Sequence, residues 1–165
     1  MDIVKNIFKK IVKKIKTIKI VKNTLKKLEP TKPISARKTK QILKKLEKSL
    51  NINLIESKRV DFTPSGTLTG LNLASCGVKS KDLELIGSLT GLESLGLAYN
   101  QIVEIEGLDK LTNLTSLSLL DNKITEMKGL NRLTNLRDLQ LSDNRIEKIK
   151  GLWGVVEFRI SFTWR

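Results

Sequence analysis

Asp121 and Asp143 stand 22 residues apart at equivalent points of a recurring pattern, and carboxylates so related could hold a cation or act as an acid and base pair. The rest of the composition favours plain surface acidity. The chain has no histidine, so the commonest general base and nitrogen ligand is missing. Its single cysteine, Cys76, falls where the pattern buries a side chain, with no thiolate-stabilising neighbour in the sequence. Ser-His and Cys-His catalysis are excluded, and one cysteine can close no disulfide within the chain. Neither Gly-x-Gly-x-x-Gly nor Gly-x4-Gly-Lys occurs, so no phosphate-cradling loop of those kinds is encoded. Asn113-Leu114-Thr115 has the form of a glycosylation acceptor, but Leu114 is an interior position of the pattern and the triplet is read as structural. The expectation is a protein that is not an enzyme and uses neither metal nor cofactor.

The elements that position these residues are repeats. Starts at Leu92, Leu114 and Leu136 are spaced by 22 residues without insertion. From Leu92 the order is Leu95, Leu97, Asn100, Ile102, Ile105, Leu108 and Leu111, and the copies from Leu114 and Leu136 follow it. An earlier copy begins at Leu68, has Cys76 where the others have asparagine, and carries two extra residues near Ser80–Asp82. The Leu-x-Leu alternation predicts one short strand per repeat with both leucines facing inward. Asn100, Asn122 and Asn144 then sit where the chain turns, and an inward amide there can bond backbone groups of adjacent coils. The three-residue spacing of apolar positions that follows suits an extended or 3₁₀ return path better than a regular α-helix.

These residues resemble the 22-residue class of leucine-rich repeats in protein phosphatase regulatory subunits of that type, and Leu-Thr-Asn-Leu at 111–114 and 133–136 also looks like bacterial internalins. The resemblance covers residues 68–152. It implies a short right-handed α/β solenoid, a horseshoe with parallel strands on its concave side and a 3₁₀ or irregular convex side. It further implies a non-catalytic module that binds partner proteins.

If strands line the concave side, four outward columns can be read. Two are mostly small and polar: Gly70, Ser94, Ser116, Asp138, and Asn72, Gly96, Ser118, Gln140. The others hold Ala74, Ala98, Leu120, Ser142, and Ser75, Tyr99, Asp121, Asp143. Tyr99 and Leu120 are read as the hot-spot pair, flanked by Asp121, Asp138, Gln140 and Asp143.

Charge divides the chain. Residues 1–60 carry 19 Lys and Arg against 4 Asp and Glu, while residues 61–165 carry 12 against 13. Such asymmetry points to an acidic partner for the front, an anionic membrane surface or nucleic acid. Apolar side chains at Val4, Ile11, Ile15, Ile18, Val21, Leu25 and Leu28 fall at helical spacing, with Lys5, Lys9, Lys10, Lys13, Lys14, Lys16, Lys19, Lys22, Lys26 and Lys27 filling the other faces. This composition suits a helix lying on an anionic membrane. It contains no arginine and one aromatic, Phe8, so base readout is the weaker alternative. Packing of the stripe on the solenoid is a third reading. Lysines interrupt every apolar stretch, which predicts neither a secretory signal nor a spanning helix.

Pro30 and Pro33 end that segment. A second helix is expected from Ser35, its stripe of Ile42, Leu43, Leu46 and Leu50 covering the open end of the solenoid and Lys44, Lys45 and Lys48 facing solvent. Thr63–Gly66 reads as a tight turn into the first repeat strand. At the other end Ser161 stands where a strand leucine is expected, and Phe158, Ile160, Phe162 and Trp164 alternate instead, predicting a cap strand or a truncated repeat. The organisation is therefore a basic amphipathic helix over 1–31, linker and capping helix over 32–60, about four repeats over 61–152, and a terminal cap over 153–165. The functional expectation is a cytoplasmic, membrane-peripheral interaction module: the concave face takes a protein partner, the basic helix attaches to an anionic surface, and no small molecule is turned over. In the alternative, the lysine-rich helix is the functional element, on a membrane or nucleic acid, and the repeats are a scaffold.

Overall fold

The structure, a computed structural model, describes residues 34–149 and 159–161. The basic segment over 1–31 and its ten lysines lie outside the described residues, so of the two expected N-terminal helices one falls within them. That helix, α1, spans Ala36–Leu50. The Ser35 hydroxyl accepts from the Lys38 N–H at 3.4 Å, and Asn51 closes the far end in the left-handed region at φ 51°. Thr39, Ile42, Leu43 and Leu46 are its buried residues, and the three apolar ones join one core cluster with Leu54, Leu68 and Leu71. No helix among the described residues is long and apolar enough to cross a membrane.

Strand β1, Val60–Phe62, was not anticipated from the sequence. It runs antiparallel to β2, Leu68–Asn72, across the Thr63–Thr67 turn. The turn is closed by Thr63 N–H to the Thr67 carbonyl at 2.8 Å and by Thr67 N–H to the Thr63 hydroxyl at 3.1 Å. From β2 onward pairing is parallel, through β3 (Ser94–Gly96), β4 (Ser116–Ser118), β6 (Asp138–Gln140) and β8 (Arg159–Ser161). Leu71, Leu95, Leu117 and Leu139 lie opposite one another in this register, and Ile160 continues the row. The last step is thus 21 residues where the others within the 22-residue array are 22, and this one-residue contraction explains why Ser161 misses the leucine position.

Repetition also builds the core. Each coil supplies leucines and isoleucines at the same depth, and Leu92, Leu97, Ile102, Ile105, Leu108, Leu114, Leu119 and Ile124 are completely buried. Each such side chain contributes about 1.5–3 kcal/mol of transfer free energy. No aromatic residue is needed, because neighbouring coils present identical surfaces that branched aliphatics fill.

The return paths differ from the expectation in one repeat. In the first, the 3₁₀ turn Ser80–Asp82 leads straight into a short α-helix, α2, Leu83–Gly87, which the apolar spacing did not call for. The two extra residues of that copy provide the room. In later coils the path is more extended: Glu104 bridges to Glu126, and β5 (Glu126–Met127) pairs in parallel with β7 (Lys148–Ile149) as a second small sheet.

Candidate interaction surface

The parallel strands are held in place by asparagine. Asn122 donates to the Leu97 carbonyl of the preceding coil at 2.9 Å and to Leu119 and Leu120 of its own coil at 3.1 and 3.3 Å. Its Oδ1 accepts from Ile102 N–H at 3.0 Å, so one buried amide ties two coils together. Asn100 and Asn144 do the same for their own neighbours. The first coil has Cys76 instead, and there the Arg59 guanidinium reaches the carbonyls of Ala74 at 2.9 Å and Asn72 at 3.3 Å. Burial pushes the Cys76 thiol above its ordinary value, and the nearby Arg59 charge pulls the other way. A second ladder went unremarked in the sequence although its 22-residue period was visible. Asn113 donates to the Thr90 carbonyl at 3.1 Å, and Asn135 to that of Thr112 at 2.8 Å.

Upon this frame the outward residues form two columns, Gly70, Ser94, Ser116, Asp138, and Asn72, Gly96, Ser118, Gln140. A Cβ on Gly70 would meet the Asp61 carboxylate at 2.1 Å, so β1 lays its acid over this floor. Asp61 and Arg59 had no signal in the repeat, since both precede it. Further along, Ser118 Oγ and Gln140 Oε1 lie 2.8 Å apart, the hydroxyl donating. Asp138 and Gln140 are exposed on β6, next to β8.

The other two columns need correction. The strands stop at Gly96, Ser118 and Gln140, so Leu120, Tyr99, Asp121 and Asp143 do not stand in strand columns. Ser75, Tyr99, Asp121 and Asp143 occupy a left-handed turn just past the strand ends, with φ of 57°, 58°, 51° and 57°. Coil-to-coil bonding continues through the turn: Tyr99 N–H donates to Leu120 at 2.8 Å, and Asp121 N–H to Ser142 at 3.0 Å. Leu120, read as exposed, is half-buried. Of the expected hot-spot pair only Tyr99 stands out, with 55% of its surface exposed. Asp121 and Asp143 are exposed, and no grouping of acids, cysteine or histidine suited to a metal ion occurs among the described residues.

A family profile of leucine-rich repeats, in units of two copies, matches residues 90–132 and 112–152. Repeats of this family are generally non-catalytic and bind proteins. Curated proteins give no match to the chain. Among solved structures, the chain is similar to internalin C2 of Listeria monocytogenes strain 4b F2365, at 31% identity and a TM-score of 0.44, with 48% of this chain and 36% of that one covered. It is also similar to the internalin inlF of the same strain, at 29% identity and a TM-score of 0.37, with 76% and 29% covered. The chain thus spans well under half the length of either internalin.

Proposed function

We propose that this chain, whose residues 90–152 match leucine-rich repeats, is a cytoplasmic, membrane-peripheral adaptor that captures a protein partner on the rim of its strands around Tyr99. The observation that carries the reading is the backbone of Tyr99. A bulky residue in the left-handed region costs about 1–3 kcal/mol, whereas aspartate tolerates it. The equivalent positions are filled by Ser75, Asp121 and Asp143, so folding alone would favour a small or acidic residue at 99 as well. Tyrosine there is explained by what its ring does outside the fold. Such rigid aromatics anchor interfaces, and the small floor of Ser94, Gly96, Ser116 and Ser118 lets a partner approach it closely. In the same proposal Asp121, Asp138, Gln140 and Asp143 form the polar border of the contact, and the lysine-rich segment over 1–31 holds the adaptor at an anionic surface.

The test is site-specific photo-crosslinking in cells from positions 99 and 140 on the rim and from 106 on the return path. A single protein captured from 99 and 140 but not from 106, whose purified form binds Tyr99→Asn at least tenfold more weakly than wild type, is the expected result. Capture from 106 alone, or equal affinity for Tyr99→Asn, would sink the proposal.

A further inference from the structure

We infer that α1 is itself an anionic-membrane contact, a second one besides the segment over 1–31. The inference rests on the attachment reading above but on different residues. Arg37, Lys38, Lys40, Lys44, Lys45 and Lys48 are all exposed, and none lies within ion-pair distance of an acid among the described residues. The helix has one acid, Glu47, and its carboxylate is turned inward to accept from Leu54 N–H at 2.9 Å. At 3.6 residues per turn, Arg37, Lys44 and Lys48 fall on one line about 16 Å long, diametrically opposite the buried face of Thr39, Ile42, Leu43 and Leu46. The remaining three cations flank that crest.

A solvated cap would not need this arrangement. An ordinary exposed helix mixes signs, because acids four residues before lysines stabilise it and like charges at that spacing repel. Here Lys40 and Lys44, and Lys44 and Lys48, are like-charge pairs of that kind. The helix is kept in place despite them, by its buried stripe and by the Ser49 hydroxyl, which donates to Asp82 Oδ1 on the neighbouring 3₁₀ turn at 3.4 Å.

An anionic phospholipid surface fits the crest better than nucleic acid does. Headgroups in a fluid plane impose no fixed spacing on long lysine side chains, and α1 offers no aromatic for a base to stack on. The sequence just upstream, over 3–28, interleaves its lysines with isoleucine and valine, which have use in a lipid interface and none on a phosphate backbone. With α1 flat on the surface, its buried face and the core packed on it point away from the lipid.

The experiment is co-sedimentation of the full chain with phosphatidylcholine vesicles, with and without phosphatidylserine, at low and physiological salt. Each neutralised crest cation should weaken partitioning roughly fivefold, so Arg37→Gln/Lys44→Gln/Lys48→Gln should lose about a hundredfold on phosphatidylserine vesicles. The control, Lys123→Gln/Arg137→Gln/Arg145→Gln on later coils, removes the same three charges and should bind as wild type. If the crest variant partitions as wild type while Lys9→Gln/Lys13→Gln/Lys16→Gln does not, the inference falls and the attachment through 1–31 stands. If wild type ignores phosphatidylserine, both fall. Equal losses in crest and control variants would reduce the effect to net charge and overturn the assignment. Binding to polynucleotide but not to vesicles, lost in the crest variant, would overturn it in favour of nucleic acid.

Discussion

The Arg59 guanidinium donates to the Ala74 carbonyl at 2.9 Å, the same kind of bond that the Asn100 amide makes to Ala98 at 3.0 Å one coil later. A residue from before the repeats thereby completes a ladder whose first rung is a cysteine. Arg59→Ala is expected to destabilise the chain by about 1 kcal/mol, with the loss concentrated in faster amide exchange of β1 and β2. Because the Arg59 charge lowers the Cys76 thiol, the substitution should also raise that thiol further, read as a higher pH midpoint for alkylation.

Asn122→Ala leaves the buried N–H of Ile102 without its acceptor and removes the amide's bonds to Leu97, Leu119 and Leu120, whose carbonyls keep those from Asn100, Asn144 and the Tyr99 N–H. The expected cost is about 1–3 kcal/mol, measured as a lower urea midpoint. Asn144→Ala should cost less, because Asn144 is half-buried where Asn122 is buried.

Gly87 and Gly107 pack backbone against backbone: a Cβ on Gly87 would meet the Gly107 carbonyl oxygen at 1.7 Å. Gly87→Ala must therefore force coils apart and should cost about 3 kcal/mol. Gly77→Ala, at φ +71° with open space around it, should cost about 1 kcal/mol through backbone strain alone. Thermal unfolding of the two variants checks the difference.

Tyr99→Asn should raise stability by about 0.5–1 kcal/mol, since asparagine adopts the left-handed turn more readily, while abolishing partner capture. A variant that gains stability and loses binding separates the ring's outward role from any role in packing. If Tyr99→Asn instead unfolds at lower temperature, the ring is part of the fold.

Lys128 Nζ lies 3.2 Å from Glu104 and 2.7 Å from Glu106, joining two coils on the return path. Its hydrogen bond, and then its charge, hold the Glu106 carboxyl below the ordinary value. A carboxyl depressed in the fold stabilises it above the unfolded pKa, and that contribution disappears as pH falls through the folded value. The difference in melting temperature between wild type and Lys128→Ala should accordingly vanish in acid, and shrink with added salt because the pair is exposed.

The leucine rows and the asparagine ladder could be read in the residues because period-22 identity fixes depth and the turn together. Strand length could not. Alternation continues to Ala98 and Tyr99, but coil-to-coil bonding makes the chain turn left-handed three residues after Gly96, at Tyr99. Leu120 was misread for the same reason: past the strand's end, outward no longer means exposed. β1 and Arg59 were missed because they belong to no repeat, and α2 because its two additional residues alter the local period.

The antiparallel entry of β1 gives the sheet a direction. Its outer edge presents donors and acceptors in the paired spacing of an antiparallel strand, unlike the even spacing a parallel coil must match. Gene duplication of one unit could lengthen the array between β2 and β6, where each new junction would find an asparagine waiting, but not ahead of β1. The same edge, short and bulged at Asp61/Phe62, makes a poor seed for stray chains, so β1 terminates growth in evolution and aggregation alike.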